Sequence, residues 1–451
     1  MFSVLNLLVL PSLVIVYTQS DVSVHNPFYC YSDDPIRPRT LFGGIHSVYE
    51  ISRGQTINPD VSTCNPTKFW MAGRHGAILP LANDLPNLSE TVTRLQSEIL
   101  LNYDQGKTSL CASDIELIRN WRFDPNITME NAEFLASSGW DEMKALAQRF
   151  QIAFPSILSS TYSPNDYFFR STEFQRTKAS LNAFADGLFG VNGHEQIRFE
   201  DIPEQDVFMR SNQHCPLYIQ INAERFEQNA FREGPEYQEM TVQVSAKLGF
   251  HGSHALRNND IAILAQICRF EQIWDLSATS PFCAAFSVAN SQVIEYSEDV
   301  DLYFRFGYGR PQYRRLYENL MCFQMQDMLN FIQSNDANDH KARIFSGHVN
   351  QFLIILNFRA FDDDAPLTRH NFAQQMQRVW RSSFNMPMAS NLAVIRYDCD
   401  DGDNDILFLF NEIPLQISGC GADGVCKQSL ILERFSHFLN VNCMEVFCTN
   451  N

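Results

Sequence analysis

The sequence predicts an α/β core interrupted by a mainly helical insertion. A short apolar strand over 68–72 runs into a loop at Gly73, helical periodicity dominates the middle, and strand-like apolar runs return near the end. The 451 residues are 45% hydrophobic and 19% charged, which suits a folded globular chain and excludes disordered, collagen-like, coiled-coil and multi-span membrane classes. The 34 basic and 52 acidic residues leave a net charge of −18, so a polyanionic partner needs a local basic pocket and nucleic acid is disfavoured.

Taken in order, residues 2–17 are apolar apart from Ser3, Asn6, Pro11 and Ser12, with small Thr18 and Ser20 before a cut at Asp21. That layout predicts a secretory signal peptide over 1–20, because a stretch this short and broken by Pro11 spans a membrane poorly. Twelve cysteines beyond it, without Cys-x-x-Cys spacing, predict a disulfide framework. Cys420 with Cys426 and Cys443 with Cys448 are candidate local pairs, although spacing does not determine connectivity. Asn87-Leu88-Ser89 and Asn126-Ile127-Thr128 are glycosylation acceptors that fit a secreted, extracellular chain.

Leu88, Val92, Leu95 and Ile99 recur at helical spacing, and residues 130–153 form a second helix with Phe134, Met143, Leu146, Phe150 and Ala153 buried. Phe174, Thr177, Leu181, Phe184 and Leu188 trace one face of a third helix. Its start is set by a capping box of Thr172 with Gln175. Residues 190–300 mix Gly, Pro and Asn with helical patches and carry Cys215, Cys268 and Cys283. The runs 351–358, 392–397 and 406–410 predict strands, the last two joined by an acidic hairpin turn from Asp398 to Asp405. His251 and His254 have ligand-like spacing but no partner to complete a metal set.

Three stretches carry the chemistry. Arg74-His75-Gly76-Ala77-Ile78-Leu79-Pro80 follows the 68–72 strand, where α/β proteins place ligands. Arg170-Ser171-Thr172 opens the third helix, so Arg170 and the free first-turn amides are placed to meet an anion, with an ordinary capped helix as the alternative. Arg176, one turn further in, adds charge or faces solvent. Phe345-Ser346-Gly347-His348-Val349-Asn350 precedes the 351–358 run.

In this order the three stretches resemble the histidine acid phosphatase superfamily, most closely its multiple inositol polyphosphate phosphatase branch. The resemblance continues through Cys64-Asn65-Pro66, Arg149-Phe150, Gly307-Tyr308-Gly309 and Asn411-Glu412-Ile413-Pro414. It implies a mixed-sheet core with helices on both faces and an inserted α-helical cap. By position, the core takes 21–110, 170–190 and 310–451, and the cap 111–169 and 191–309. It also implies hydrolysis of inositol phosphate monoesters through a phosphohistidine, without metal or cofactor. His75 is then the nucleophile. Arg74, Arg170 and His348 hold phosphate oxygens.

Two departures matter. Ile78 stands where the family motif Arg-His-Gly-x-Arg-x-Pro has its second arginine, and Asn350 stands where the branch carries the glutamate that protonates the leaving alkoxide. Losing a general acid costs about 10²–10⁴ in rate. The expectation is a phosphatase with weakened or altered activity; a pseudophosphatase that binds a phosphorylated or acidic ligand is the alternative, and Glu412 or a cap carboxylate is a candidate replacement acid. A histidine loop, Gly43-Gly44-Ile45-His46, stands where the family has a basic Thr-Lys loop.

Overall fold

The computed structural model describes residues 29–34, 41–362 and 365–450; the leader expected over 1–20 lies outside the described residues. Strand β1 (Asn65–Arg74) is followed by helices α1 (Leu85–Asp104), α2 (Ala112–Asn120) and α3 (Ser137–Ala153). Strand β2 (Tyr167–Ser171) leads into α4 (Gln175–Phe189). A helical stretch then runs through α5 (Val207–His214), α6 (Pro216–Ile221), α7 (Phe226–Arg232), α8 (Pro235–Lys247), α9 (Asn258–Trp274), α10 (Val288–Phe306), α11 (Arg314–Leu320) and α12 (Cys322–Gln333). Strands β3 (Ala342–Gly347), β4 (Asn391–Asp398), β5 (Asp405–Phe410), β6 (Ile413–Pro414) and β7 (Val425–Lys427) complete the sheet.

The sheet is mixed, in the order β2-β3-β1-β4-β5-β6, with β7 also on β5. β2, β3 and β1 are parallel, whereas β4 and β5 run antiparallel. β1 is buried on both faces: Phe69 and Met71 join a core with Leu146, Phe150, Leu181 and Phe184 of α3 and α4. Trp70 and Ala72 face the other core, with Met325 and Met328 of α12. Helices therefore cover both faces, as the resemblance implied. No helix among the described residues is long and apolar enough to cross a membrane.

All twelve cysteines pair, as Cys30–Cys111, Cys64–Cys399, Cys215–Cys448, Cys268–Cys283, Cys322–Cys443 and Cys420–Cys426. The local 420–426 pair forms. The 443–448 pair does not, because Cys443 reaches α12 and Cys448 reaches the start of α6, tying the C-terminus to the helical region. Six disulfides are the signature of an extracellular or lumenal protein.

Three expected elements differ. The 351–358 run is not a strand: it forms a 3₁₀ turn over Val349–Phe352 and a short helix over Leu353–Leu356, with residues 350–356 buried. Its apolar stretch from Phe352 to Leu356 fits either state. The second helix begins at Ser137 rather than 130, because residues 133–136 run alongside the 77–80 loop, with Leu79 N–H on the Phe134 carbonyl and Ala136 N–H on that of Ala77. Phe134 is consequently 39% exposed, not core. The Thr172–Gln175 capping box is absent: α4 has Phe174 as its N-cap, with no side-chain cap bond. The Gln175 amide oxygen instead accepts from Leu135 N–H at 2.9 Å.

The first turn of α3 lies against the Arg-His-Gly loop with no room between them. A Cβ on Gly76 would sit 2.5 Å from the Gly139 carbonyl oxygen, and one on Gly139 2.2 Å from that of Ala77. Gly139→Ala is therefore expected to lower unfolding stability by about 1–3 kcal/mol, seen as a lower urea midpoint; an unchanged midpoint would contradict this packing.

Candidate active site

The parallel register brings the motifs together. Arg74 pairs with Gly347 and Ser171 with Ser346, so the chain leaves β1, β3 and β2 at the same edge of the sheet. The ladder runs on past the strands, His75 N–H donating to the Gly347 carbonyl at 3.0 Å and Thr172 N–H to that of Ser346 at 3.3 Å. At that edge lies a cavity of about 290 Å³ lined by Arg74, His75, Ile78, Arg176, Arg210 and His348, among others. The His75 and His348 rings stand edge to face, 5.6 Å apart.

His75 is held in one tautomer. Its Nδ1–H donates to the Gly76 carbonyl at 2.8 Å, which leaves the Nε2 lone pair unprotonated. Burial, then the Arg74, His348 and Arg176 charges, hold its pKa well below the usual histidine value, so the ring is neutral. The loop beneath it is fully anchored. Gly76 N–H donates to Ser180 Oγ at 3.1 Å and Ala77 N–H to Glu142 at 3.0 Å. Burial raises Glu142 to about 7, partly offset by its bonds from Ala77 and Tyr49 amides.

Arg74 is fixed by its Nη1–H donating to the carbonyls of Ile45 at 2.6 Å and Met386 at 2.9 Å. Burial lowers it only to about 10, so it stays cationic at neutral pH. Arg176 pairs with Glu133 at 2.8 Å, Arg210 pairs with Glu173, and both guanidiniums lie against the Phe174 ring, at 4.4 and 4.8 Å. His348 bonds through Nε2 to Thr172 Oγ1 at 3.0 Å, and Thr172 to Thr177 at 2.8 Å. Burial, with Arg176 and Arg210, pushes His348 down to about 3.

Arg170 does not join this group. Its guanidinium pairs with Asp206 at 2.7 Å and lies 4.6 Å over Phe208, and it does not line the cavity. Arg176, for which the sequence left solvent as an option, occupies the cavity instead. Asn350 is buried, but its amide donates to the Met209 carbonyl at 3.0 Å and is not part of the lining. Glu412 is spent elsewhere, bound by Arg149 through both oxygens at 2.7 Å. Ile78 does line the wall, its carbonyl accepting from Trp274 Nε1–H at 3.0 Å.

The sequence reading missed Arg210, Gln213 and Gln266, which reach the cavity from the helical region, and Asp84 at the start of α1. None belongs to a recognisable motif. His46 carried a partial signal, standing where the family has a basic loop. It lines the cavity, packs at a tilt against Phe270 with ring centres 4.8 Å apart, and is pushed down to about 3 by burial and by Arg74 and Arg269.

Parallel β-strands thus end in an Arg-His-Gly loop that places a buried neutral histidine and three guanidiniums around one cavity. Residues 71–411 match the histidine phosphatase superfamily (branch 2), and the chain belongs to this family. Within it, the chain is similar to multiple inositol polyphosphate phosphatase 1 of Drosophila melanogaster, 32% identical over 440 residues, covering 95% of this chain and 91% of that relative. Its fold matches the phytase from D. castellii, with a TM-score of 0.67, 16% identity and coverage of 92% and 88% of the two chains. It also matches a Bifidobacterium longum multiple inositol polyphosphate phosphatase solved with inositol hexasulfate, with a TM-score of 0.60, 13% identity and coverage of 86% and 96%.

A depressed histidine pKa means that the neutral form persists on acidification. Nitrogen NMR is expected to show His75 neutral and Nδ1-protonated from about pH 8 to about pH 5. A titration near the ordinary histidine value would contradict the buried, arginine-flanked environment.

Proposed function

We propose that the chain hydrolyses phosphomonoesters of inositol polyphosphates through a phosphohistidine at His75, with weakened or altered activity. The observation that carries this reading is a neutral imidazole, its Nε2 unprotonated, in a cavity shared with Arg74 and Arg176. Nε2 attacks phosphorus in line, the ester P–O bond breaks, and water later releases phosphate from the ring. Arg74 and Arg176 hold the equatorial oxygens, with Arg210 close by. A bound dianion favours protonation of His348, which turns it into a further donor. The relatives' names supply the inositol phosphate substrate class.

Residues of 191–309 supply Arg210, Gln213 and Gln266 to the cavity, which supports the division into a sheet core and a helical cap. Secretion is supported by the leader sequence and the disulfides, and Asn87 and Asn126 are both exposed for glycosylation. The second reading, a pseudophosphatase, is favoured by the Asn350 amide being tied to the Met209 carbonyl and by the apolar Ile78 in the wall.

Incubation with a labelled aryl phosphate, whose leaving group needs no proton, is expected to place label on His75 and none on His75→Ala. Arg176→Ala should slow labelling about 10²–10³-fold, while Arg170→Ala should have a far smaller effect. Binding of inositol hexakisphosphate without any label would instead establish the pseudophosphatase.

A further inference from the structure

We propose that Asp84 is the general acid of this site, taking over the role of the carboxyl that is absent at position 350. This rests on the phosphohistidine reading above. Phosphoryl transfer from an alkyl ester leaves an alkoxide that must gain a proton as the P–O bond breaks. The amide at 350 cannot supply it, and it is turned to the Met209 carbonyl.

The carboxylates around the cavity are nearly all committed. Glu133 is bound to Arg176, Glu173 to Arg210 and Glu298 to Arg269, while Glu142 accepts two backbone amides beneath the histidine loop. Among the described residues that line the cavity, Asp84 is the one carboxylate. Its side chain enters no ion pair there; one oxygen, Oδ2, accepts from the Gln266 amide at 3.3 Å. A cationic partner would lock a carboxylate in its ionised form, whereas an amide donor leaves a protonated carboxyl able to keep the same contact.

The position of Asp84 on its helix is a second, independent observation. It is the N-cap of α1, where an aspartate ordinarily accepts from first-turn amides. Here the side chain accepts no capping bond. It gives up that contact and is turned instead towards Gln266 and the cavity. Asp84 is half-buried, so water can reach its carboxyl.

The step balances without a co-reactant. His75 Nε2 forms a bond to phosphorus as the ester P–O bond breaks, the electron pair stays on the leaving oxygen, and the Asp84 carboxyl proton passes to it. Water then attacks the phosphohistidine, giving its proton to the Asp84 carboxylate, and phosphate leaves.

The test compares single-turnover cleavage of two esters by the full-length protein and its Asp84→Asn and Asp84→Glu variants. With glycerol 2-phosphate, which needs the proton, Asp84→Asn is expected to be about 10²–10⁴-fold slower. The p-nitrophenolate burst from p-nitrophenyl phosphate, which does not, should fall by less than about tenfold. Asp84→Glu should recover part of the glycerol phosphate rate. Equal losses with the two esters, or no loss with glycerol 2-phosphate, would overturn the assignment. A native protein that gives the burst but releases no glycerol has no working acid, which overturns the role of Asp84 while leaving the phosphohistidine in place. Absence of both the burst and phosphorylated His75 overturns both readings.

Discussion

Parallel pairing of β2, β3 and β1 in one fixed register is the constraint on which the site depends. Histidines 75 and 348 and the Thr172 turn are separated by roughly a hundred residues or more of chain, yet each follows the last rung of its strand. Because Arg74 sits opposite Gly347 and Ser171 opposite Ser346, the three exits open onto one cavity. Side chains alternate along a strand, so a slip of one residue would turn the partners to the opposite face. Burial of β1 on both faces prevents such a slip, since it would exchange Trp70 with Phe69 or Met71 between two packed cores.

Electrostatics then make the edge selective. The chain carries a net charge of −18, yet three guanidiniums converge on the cavity. Arg74 is held by backbone carbonyls rather than by a direct ion pair, so its charge stays available to a ligand. Arg176 and Arg210 are each balanced by a glutamate; the Arg176 charge depresses both His75 and His348, and the Arg210 charge depresses His348. The result is a neutral imidazole among cations held in place before any ligand arrives. Such preorganised donors in a water-poor site stabilise developing charge more than the same groups would in water. Support reaches further back: Arg378 pairs with Glu295 and Asp299 of α10, and Asp299 also accepts from Ser382 N–H, fixing the segment whose Met386 carbonyl positions Arg74.

Much of this was legible in the sequence, and the failures have identifiable causes. The strand before Arg74-His75-Gly76 and the 391–398 and 405–410 pair were visible because buried strands read as short apolar runs bounded by polar turns. The run after His348 has the same character but coils into a buried helix, so the motif follows β3 instead of preceding a strand. Arg170 and Arg176 lie in one motif, and the sequence pointed to Arg170 for the anion, with Arg176 an addition or solvent-facing. Arg170 belongs to β2, whose alternation sends it beside Phe208, while Arg176 projects from the first turn of α4 into the cavity. Thr172 fits the pattern of a helix cap, but its hydroxyl bonds with Thr177 and His348, contacts invisible without the fold. Arg210, Asp84 and Gln266 come from segments with no motif, and only tertiary packing brings them in.

The most direct test of this account is a crystal structure with orthovanadate, which takes up the five-coordinate geometry of phosphoryl transfer. The account predicts vanadium bonded to His75 Nε2, with its equatorial oxygens on Arg74 and Arg176. Vanadate held by Arg170, or bound away from His75, would contradict it.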